Sequence, residues 1–317
     1  MNGKRVFKTA MLLLLSFLLR AQEKNDYHIL HFSSAHTSFP DTGRAKDWLD
    51  GDSVLRPVAG HYDDNSVLLV VPDGLKPGGP IDLVFWFHGW HNNIDTALEF
   101  YGLARQFAAS RRNAVLVLAE AAKNSADSYG GKLKQAGMFK GLVNDVMAEL
   151  KAKGVVAGAT GGVAAVPGHI VLAGHSGGFL VIANILANGQ VPVDEVFLFD
   201  ALYSQVPVFM GWIGDGKTGI DAGKSGIDAG KGGHHFVHWY TNHGGGTDAM
   251  TDTLMRRLQA RSIGYRLVEE NAVTPAIIRS NRVLLVHSLR EHNVIINNPD
   301  DFEVLLENSW VLGGVRE

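Results

Sequence analysis

The stretch HIVLAGHSGGFLVIANIL, residues 169–186, sets one serine among three glycines between two apolar runs. The first run is typical of a strand buried on both faces, and the second has the length of a buried helix. GHSGG (174–178) at their junction fits the pattern G-x-S-x-G. A serine at the apex of such a turn has strained backbone angles, and side chains two residues before and after it would clash. We therefore predict that Ser176 is a nucleophile; an ordinary glycine turn is the alternative.

The rest of the chain alternates between strand-like and helix-like segments. An initial run of strands is joined by turn residues, and helices then separate the later strands. This order predicts an α/β fold with a mostly parallel central sheet and helices on both faces. The predicted helices are 96–110 with Asp95 as N-cap, 138–154, 179–189, 247–262 and one after Asp300. The predicted strands are 27–32, 66–72, 80–89, 113–120, 169–174, 195–200, 234–241 and 283–289.

The N-terminal segment has the pattern of a signal peptide. Lys4, Arg5 and Lys8 precede the apolar run 10–19, which is too short to span a bilayer comfortably. We expect residues 1–21 to be removed after Ala21 and residues 22–317 to form one secreted or periplasmic domain. An uncleaved membrane anchor is the alternative.

Composition narrows the classes of function. The net charge of −3 gives no basic footprint for nucleic acid, and the absence of cysteine excludes disulfides and thiolate metal sites. No cofactor and, once the signal peptide is removed, no membrane partner are expected; the oligomeric state is open.

Residues 204–233 are expected to form a Gly-rich insert. GIDAGKS (219–225) and GIDAGKG (226–232) are adjacent copies of a unit without an apolar face, which predicts a flexible, exposed segment or a lid. Residues 211–218 match the phosphate-loop pattern G-x4-G-K-[ST], but a Gly-rich repeat follows where that loop needs a helix. We therefore expect no nucleotide site here.

Four histidines at 234, 235, 238 and 243 raise the question of a metal site. On a strand, His234 and His238 share one face while His235 points to the other, so only two ligands converge. Zinc sites need three or four ligands. We therefore expect no metal.

Three features in chain order resemble the α/β-hydrolase superfamily. HGW (88–90) follows the third strand, GHSGG follows the fifth, and a histidine follows the last. The resemblance implies an α/β-hydrolase fold, with His292 as the catalytic base and the amides of Trp90 and Gly177 as the oxyanion hole. His287 would lie inside the last strand and is expected to be an ordinary strand residue.

The acid of the triad has two candidates. Asp200 closes the otherwise apolar strand 195–200, where an ionised carboxylate needs a polar partner such as His292. Asp248 follows the seventh strand, but it can serve there as a helix cap. Asp200 is preferred on that argument, and Asp248 stays the alternative.

Together these residues predict an exported serine hydrolase that acts on a small-molecule or polymeric carboxylic ester through an acyl-enzyme. A peptidase or amidase on the same triad is one alternative, and a non-catalytic binding protein with this fold is another. Residues 127–131 follow the fourth strand and either shape a substrate pocket or form a plain turn.

Overall fold

A computed structural model of the chain describes residues 26–76, 79–156, 166–215, 233–242 and 245–315. The signal-peptide prediction for residues 1–21 lies outside the described residues. No helix in the described ranges is long and apolar enough to cross a membrane. The strands are β1 (Tyr27–Ser33), β2 (Trp48–Leu49), β3 (Leu55–Arg56), β4 (Ser66–Pro72), β5 (Ile81–Phe87), β6 (Ala114–Ala119), β7 (Pro167–His175), β8 (Glu195–Phe199), β9 (His235–Thr241), β10 (Arg266–Glu269) and β11 (Val283–Ser288).

The α-helices connect the strands and cover the sheet. They are α1 (Ile94–Phe100), α2 (Leu103–Ala109), α3 (Met138–Ala152), α4 (Phe179–Asn188), α5 (Val206–Asp215), α6 (Thr247–Ala260), α7 (Pro275–Ser280) and α8 (Asp301–Glu307).

The large sheet has the strand order β1-β4-β6-β5-β7-β8-β9-β11-β10. Only β4 pairs antiparallel, with β1 and with β6; the other neighbours are parallel. Alternate residues of β4 belong to two separate hydrophobic clusters, Val67 and Leu69 to one, Leu68 and Val70 to the other. Because side chains alternate across a strand, the sheet has an apolar core on each face. The predicted fold class is confirmed.

The predicted helix over 96–110 is wrong in detail, because it is two helices. Gly102 adopts a left-handed conformation (φ 60°) between α1 and α2, which ends the first helix. The N-cap is Asn93, whose side chain accepts from the Thr96 amide, so Asp95 lies inside the first turn instead of capping it.

The prediction of a flexible insert over 204–233 is wrong for its first third. Helix α5 occupies that part, and Phe209, Met210 and Ile213 on one side of it are fully or almost fully buried in the core. These apolar residues recur at helical spacing, which the Gly-rich repeat after them obscured. Gly211 therefore lies within a helix, not at the start of a phosphate loop. Residues 216–232, including both repeats, lie outside the described residues.

The sequence did not predict the short hairpin β2–β3, the edge strand β10 or helix α7. The two hairpin strands, β10 and α7 each have six residues or fewer, so any hydrophobic periodicity in them is too short to detect. Helix α3 follows its prediction, with Leu142, Val146 and Leu150 buried on one face.

Candidate active site

Ser176 lies on a tight turn between β7 and α4, at the carboxyl end of the parallel strands. Its backbone is left-handed (φ 51°), a strained conformation for a residue other than glycine. A Cβ at Gly178 would lie 2.4 Å from the carbonyl oxygen of Phe87, and one at Gly174 would lie 3.1 Å from it. The two glycines of the motif therefore give the turn room against the end of β5.

The loop after β5 lies directly against this serine. A Cβ at Gly89 would be 2.6 Å from the Cβ of Ser176. The indole of Trp90 lies over Gly177 and its Nε1 donates to Ser128 Oγ at 2.7 Å. Trp90 and Gly177 thus line the same cavity as Ser176.

His88 anchors the start of this loop. Its Nδ1 lies 2.8 Å from the Gly89 carbonyl oxygen and its Nε2 lies 2.7 Å from Glu120 Oε1. Burial opposes the charged imidazole, but the hydrogen bond and charge of Glu120 outweigh it and raise the pKa of His88. Both ring nitrogens face oxygen atoms, an arrangement that favours the protonated imidazole beside the buried Glu120.

His292 and Asp200 are joined by a hydrogen bond. Nδ1 of His292 lies 2.7 Å from Oδ2 of the fully buried Asp200. The same carboxylate accepts from the Thr241 amide at 3.0 Å, from the Thr241 hydroxyl at 2.7 Å, and from the Thr247 hydroxyl. Burial would raise the pKa of Asp200, but the bonds from His292, Thr247 and Thr241 outweigh it and lower the pKa to about 2. Asp200 is therefore ionised at neutral pH.

Asp248 is placed differently. It is the second residue of α6 and exposed, and the N-cap of that helix is Gly246, with no side-chain cap. The expectation that Asp248 caps the helix is wrong, because a left-handed glycine begins it. An acidic residue in the first turn still complements the helix dipole. Of the two candidate acids, Asp200 is the one that contacts His292.

Four other histidines have partners of their own. His287 lies in β11 as predicted, with Nδ1 2.9 Å from Glu269. His234 stacks on Trp212, His235 pairs with Glu195, and His238 contacts the Thr251 hydroxyl. No group of three or more potential metal ligands occurs in the described part of the chain, and His243 lies outside it.

A cavity of about 810 Å³ opens in front of Ser176 and His292. Five aromatic side chains line its other walls: Trp90, Phe100, Tyr101, Phe179 and Tyr203. A second depression of about 430 Å³ shares Trp90 and Ser128 with it, and Asp127, Ser128 and Tyr129 line this depression. Residues 127–129 of the segment 127–131 thus line a pocket.

Sequence reasoning missed Tyr203, which lines the cavity with Ser176 and whose ring centroid lies 6.4 Å from that of His292. Burial, together with the charge of Asp200, raises the pKa of Tyr203 to about 12, so it stays a neutral phenol. No sequence signal points to it. Glu120 was also missed, although it follows an apolar strand as Asp200 does, and the same argument would have found it.

This strand order, with a strained serine between β7 and α4, is that of the α/β-hydrolase fold, and the chain has that fold. Among similar solved structures is the feruloyl esterase module of Clostridium thermocellum, a serine-to-alanine mutant complexed with sinapinate. It is 12% identical, with a TM-score of 0.51, over 90% of this chain and 88% of that one.

A protein named FAE gives a TM-score of 0.50 at 12% identity, over 90% of this chain and 88% of its own. A bacterial heroin esterase gives a TM-score of 0.46 at 15% identity, over 95% of this chain and 89% of its own. No protein-family model and no curated protein sequence matches the chain.

Proposed function

We propose that this protein is a serine hydrolase that cleaves carboxylic esters through a covalent acyl-enzyme. The observation that supports this best is the hydrogen bond from His292 to the buried Asp200, in the cavity that contains the strained Ser176. An ionised carboxylate only accepts hydrogen bonds, so Nδ1 of His292 bears the proton and Nε2 is left to act as a base.

In the proposed reaction, Ser176 Oγ attacks the ester carbonyl while His292 Nε2 removes its proton. The imidazolium that forms is stabilised by Asp200 and then protonates the departing alcohol. Water repeats the sequence on the acyl-enzyme and releases the acid. Backbone amides of Trp90 and Gly177 are the proposed donors to the oxyanion, and α4 behind Ser176 favours negative charge there.

Esters are the proposed substrates because an alkoxide leaves more easily than an amine. The aromatic walls of the cavity favour an ester with an apolar acyl or alcohol group. The esterase with a TM-score above 0.5 supports this choice over a peptidase.

Hydrolysis of p-nitrophenyl acetate tests the proposal, with Ser176→Ala compared against Ser128→Ala. Both substitutions remove a hydroxyl from the wall of the same cavity. We expect Ser176→Ala to lower kcat by at least about 10⁴-fold, since removal of a nucleophile abolishes the covalent route. Ser128→Ala should stay within about tenfold of wild type, because Ser128 only positions the Trp90 indole. Equal activity of wild type and Ser176→Ala would contradict the proposal.

We also propose that the enzyme is exported, on the pattern of residues 4–21 alone. A protein recovered from the periplasm or medium should begin at Gln22, as read by intact mass. Recovery from the cytoplasm with residues 1–21 present would contradict export.

A further inference from the structure

His175 occupies the variable position of the serine motif and has no part in the proposed reaction. It is the last residue of β7, and its side chain is 2% exposed. Its ring centroid lies 4.4 Å from that of His292. A buried polar ring so close to the proposed base needs a physical reason.

The partners of His175 define its tautomer. Nε2 lies 3.0 Å from the backbone carbonyl oxygen of His292, which only accepts, so Nε2 bears a proton. Nδ1 lies 3.0 Å from the Tyr101 hydroxyl, which can donate to it. Burial and the nearby His292 lower the pKa of His175 to about 3. The ring is therefore neutral at neutral pH.

The hydrogen bonds of His175 form a short chain. It runs from the Tyr101 hydroxyl through the His175 ring to the backbone carbonyl oxygen of His292.

The backbone around His292 forms no helix or strand, so contacts with other parts of the chain must fix its position. It follows β11 in a series of turns, and Arg290 ties these turns to Glu270 and Asp301 on one side. His175 contacts the His292 carbonyl directly. A small shift of this segment would separate His292 from Asp200 or from Ser176.

We propose that His175 is a positioning residue that fixes the His292 backbone, so that the imidazole stays between Asp200 and Ser176. This role rests on the proposed hydrolase function. A neutral ring suits it, because a second positive charge at this distance would oppose the imidazolium that forms on His292 during the reaction.

Kinetics of three variants test this role. His175→Phe keeps a ring but loses both hydrogen bonds, His175→Gln keeps a donor near the Nε2 position, and His238→Phe is the matched control. His238 is also fully buried and hydrogen-bonded, on β9, which β8 separates from β7, but it does not line the cavity. We expect His175→Phe to lower kcat on the order of 10²-fold with KM within about twofold. His175→Gln should recover most of this loss, and His238→Phe should leave kcat of the folded protein nearly unchanged.

A spectroscopic measurement separates this claim from the hydrolase claim. The proton between His292 Nδ1 and Asp200 should give a low-field NMR resonance in wild type and His175→Gln that is lost or strongly broadened in His175→Phe. His175→Asn, too short to reach both partners, replaces His175→Phe if that variant does not fold. If His175→Phe or His175→Asn kept both the resonance and the wild-type kcat, the positioning role would be overturned. An equal kcat loss in His238→Phe would overturn it too. If wild type hydrolyses no ester, the proposed function fails, and the resonance still tests the positioning.

Discussion

His88 and His175 are buried histidines at the ends of two paired strands, yet their pKa values are shifted in opposite directions. Phe87 of β5 pairs with Gly174 of β7, so the two histidines follow neighbouring positions of the sheet. They are 4% and 2% exposed. His88 faces a carboxylate and a carbonyl and has a raised pKa, whereas His175 faces a carbonyl and a phenol and has a pKa lowered to about 3.

The difference shows that the hydrogen-bond partners of a buried imidazole, more than its burial, decide the direction in which its pKa is shifted. Desolvation lowers both pKa values, and only the Glu120 carboxylate reverses the effect. His88 anchors the loop that contains Trp90, and His175 contacts the backbone of His292. His292 resembles His88 in having a carboxylate partner, but it is less buried and opens onto the cavity. It therefore faces the space in which a substrate would bind.

The largest effect should come from the carboxylate beside His292. Asp200→Asn removes the charge that stabilises the imidazolium and the acceptor that sets its tautomer, so kcat should fall by about 10⁴-fold. Asp248→Asn is the control and should change kcat by less than about twofold, because Asp248 is exposed in the first turn of α6. Similar, mild losses of kcat in Asp200→Asn and Asp248→Asn would contradict a functional role for the His292–Asp200 pair.

The next effect concerns the carboxylate beside His88. Glu120→Gln leaves a buried imidazolium without its counter-ion and should lower the free energy of unfolding by about 3 kcal/mol in urea titrations. Glu195→Gln is the control. It breaks a second buried histidine–glutamate pair, Glu195 with His235, which lies at the opposite end of β8 from Asp200. Both should destabilise, but only Glu120→Gln should also lower kcat, because it loosens the loop beside Ser176. Unchanged stability in Glu120→Gln would mean that His88 is neutral.

The pH dependence of stability should differ between the two histidines. His175 has a pKa of about 3 in the folded state against about 6.5 unfolded, so its stabilising contribution is lost as pH falls below 6.5. The cost is about 2 kcal/mol at pH 5, from about 1.4 kcal/mol per pH unit. The stability advantage of wild type over His175→Gln should therefore shrink by about that amount between pH 7.5 and 5.

The contribution of His88 to stability should change with pH in the opposite direction. Its raised pKa stabilises the fold below the unfolded value, and that contribution is lost as pH rises through the folded pKa. For His175, a difference in unfolding free energy between wild type and His175→Gln that stays constant from pH 7.5 to 5 would show that the folded-state pKa of His175 is not lowered.

The smallest effect should follow from Tyr101→Phe, which removes the donor to His175 Nδ1. Loss of one buried hydrogen bond should cost about 1 kcal/mol of unfolding free energy. We expect only a few-fold decrease in kcat, because the bond from His175 to the His292 carbonyl remains. Tyr62→Phe is the control, since the Tyr62 hydroxyl is also buried, 2.9 Å from Ser125 Oγ. The same kcat loss in both variants would mean that Tyr101 has no specific link to the site.

Local requirements made part of this molecule predictable from sequence. The turn at Ser176 needs glycines at 174 and 178, and the clash of a Cβ with the Phe87 carbonyl is the steric reason. The order of strands and helices followed from hydrophobic runs, and Asp200 from the cost of a carboxylate among apolar residues. These features depend on neighbours in the chain.

Features that depend on distant residues were not predictable. His175 meets Tyr101 across 74 residues and His292 across 117, and no local pattern encodes either contact. Helix α5 was hidden because the repeat after it dominates the composition of its region.

The central claim, that Ser176 is an activated nucleophile, is tested most directly by a fluorophosphonate probe. Purified protein would be treated with the probe, and the adduct located by mass spectrometry in wild type and Ser176→Ala. We predict one adduct, on Ser176, that is absent from the variant, because the proposed base and oxyanion donors activate only this hydroxyl. A folded wild-type protein that forms no adduct, or forms it at another serine, would contradict the account.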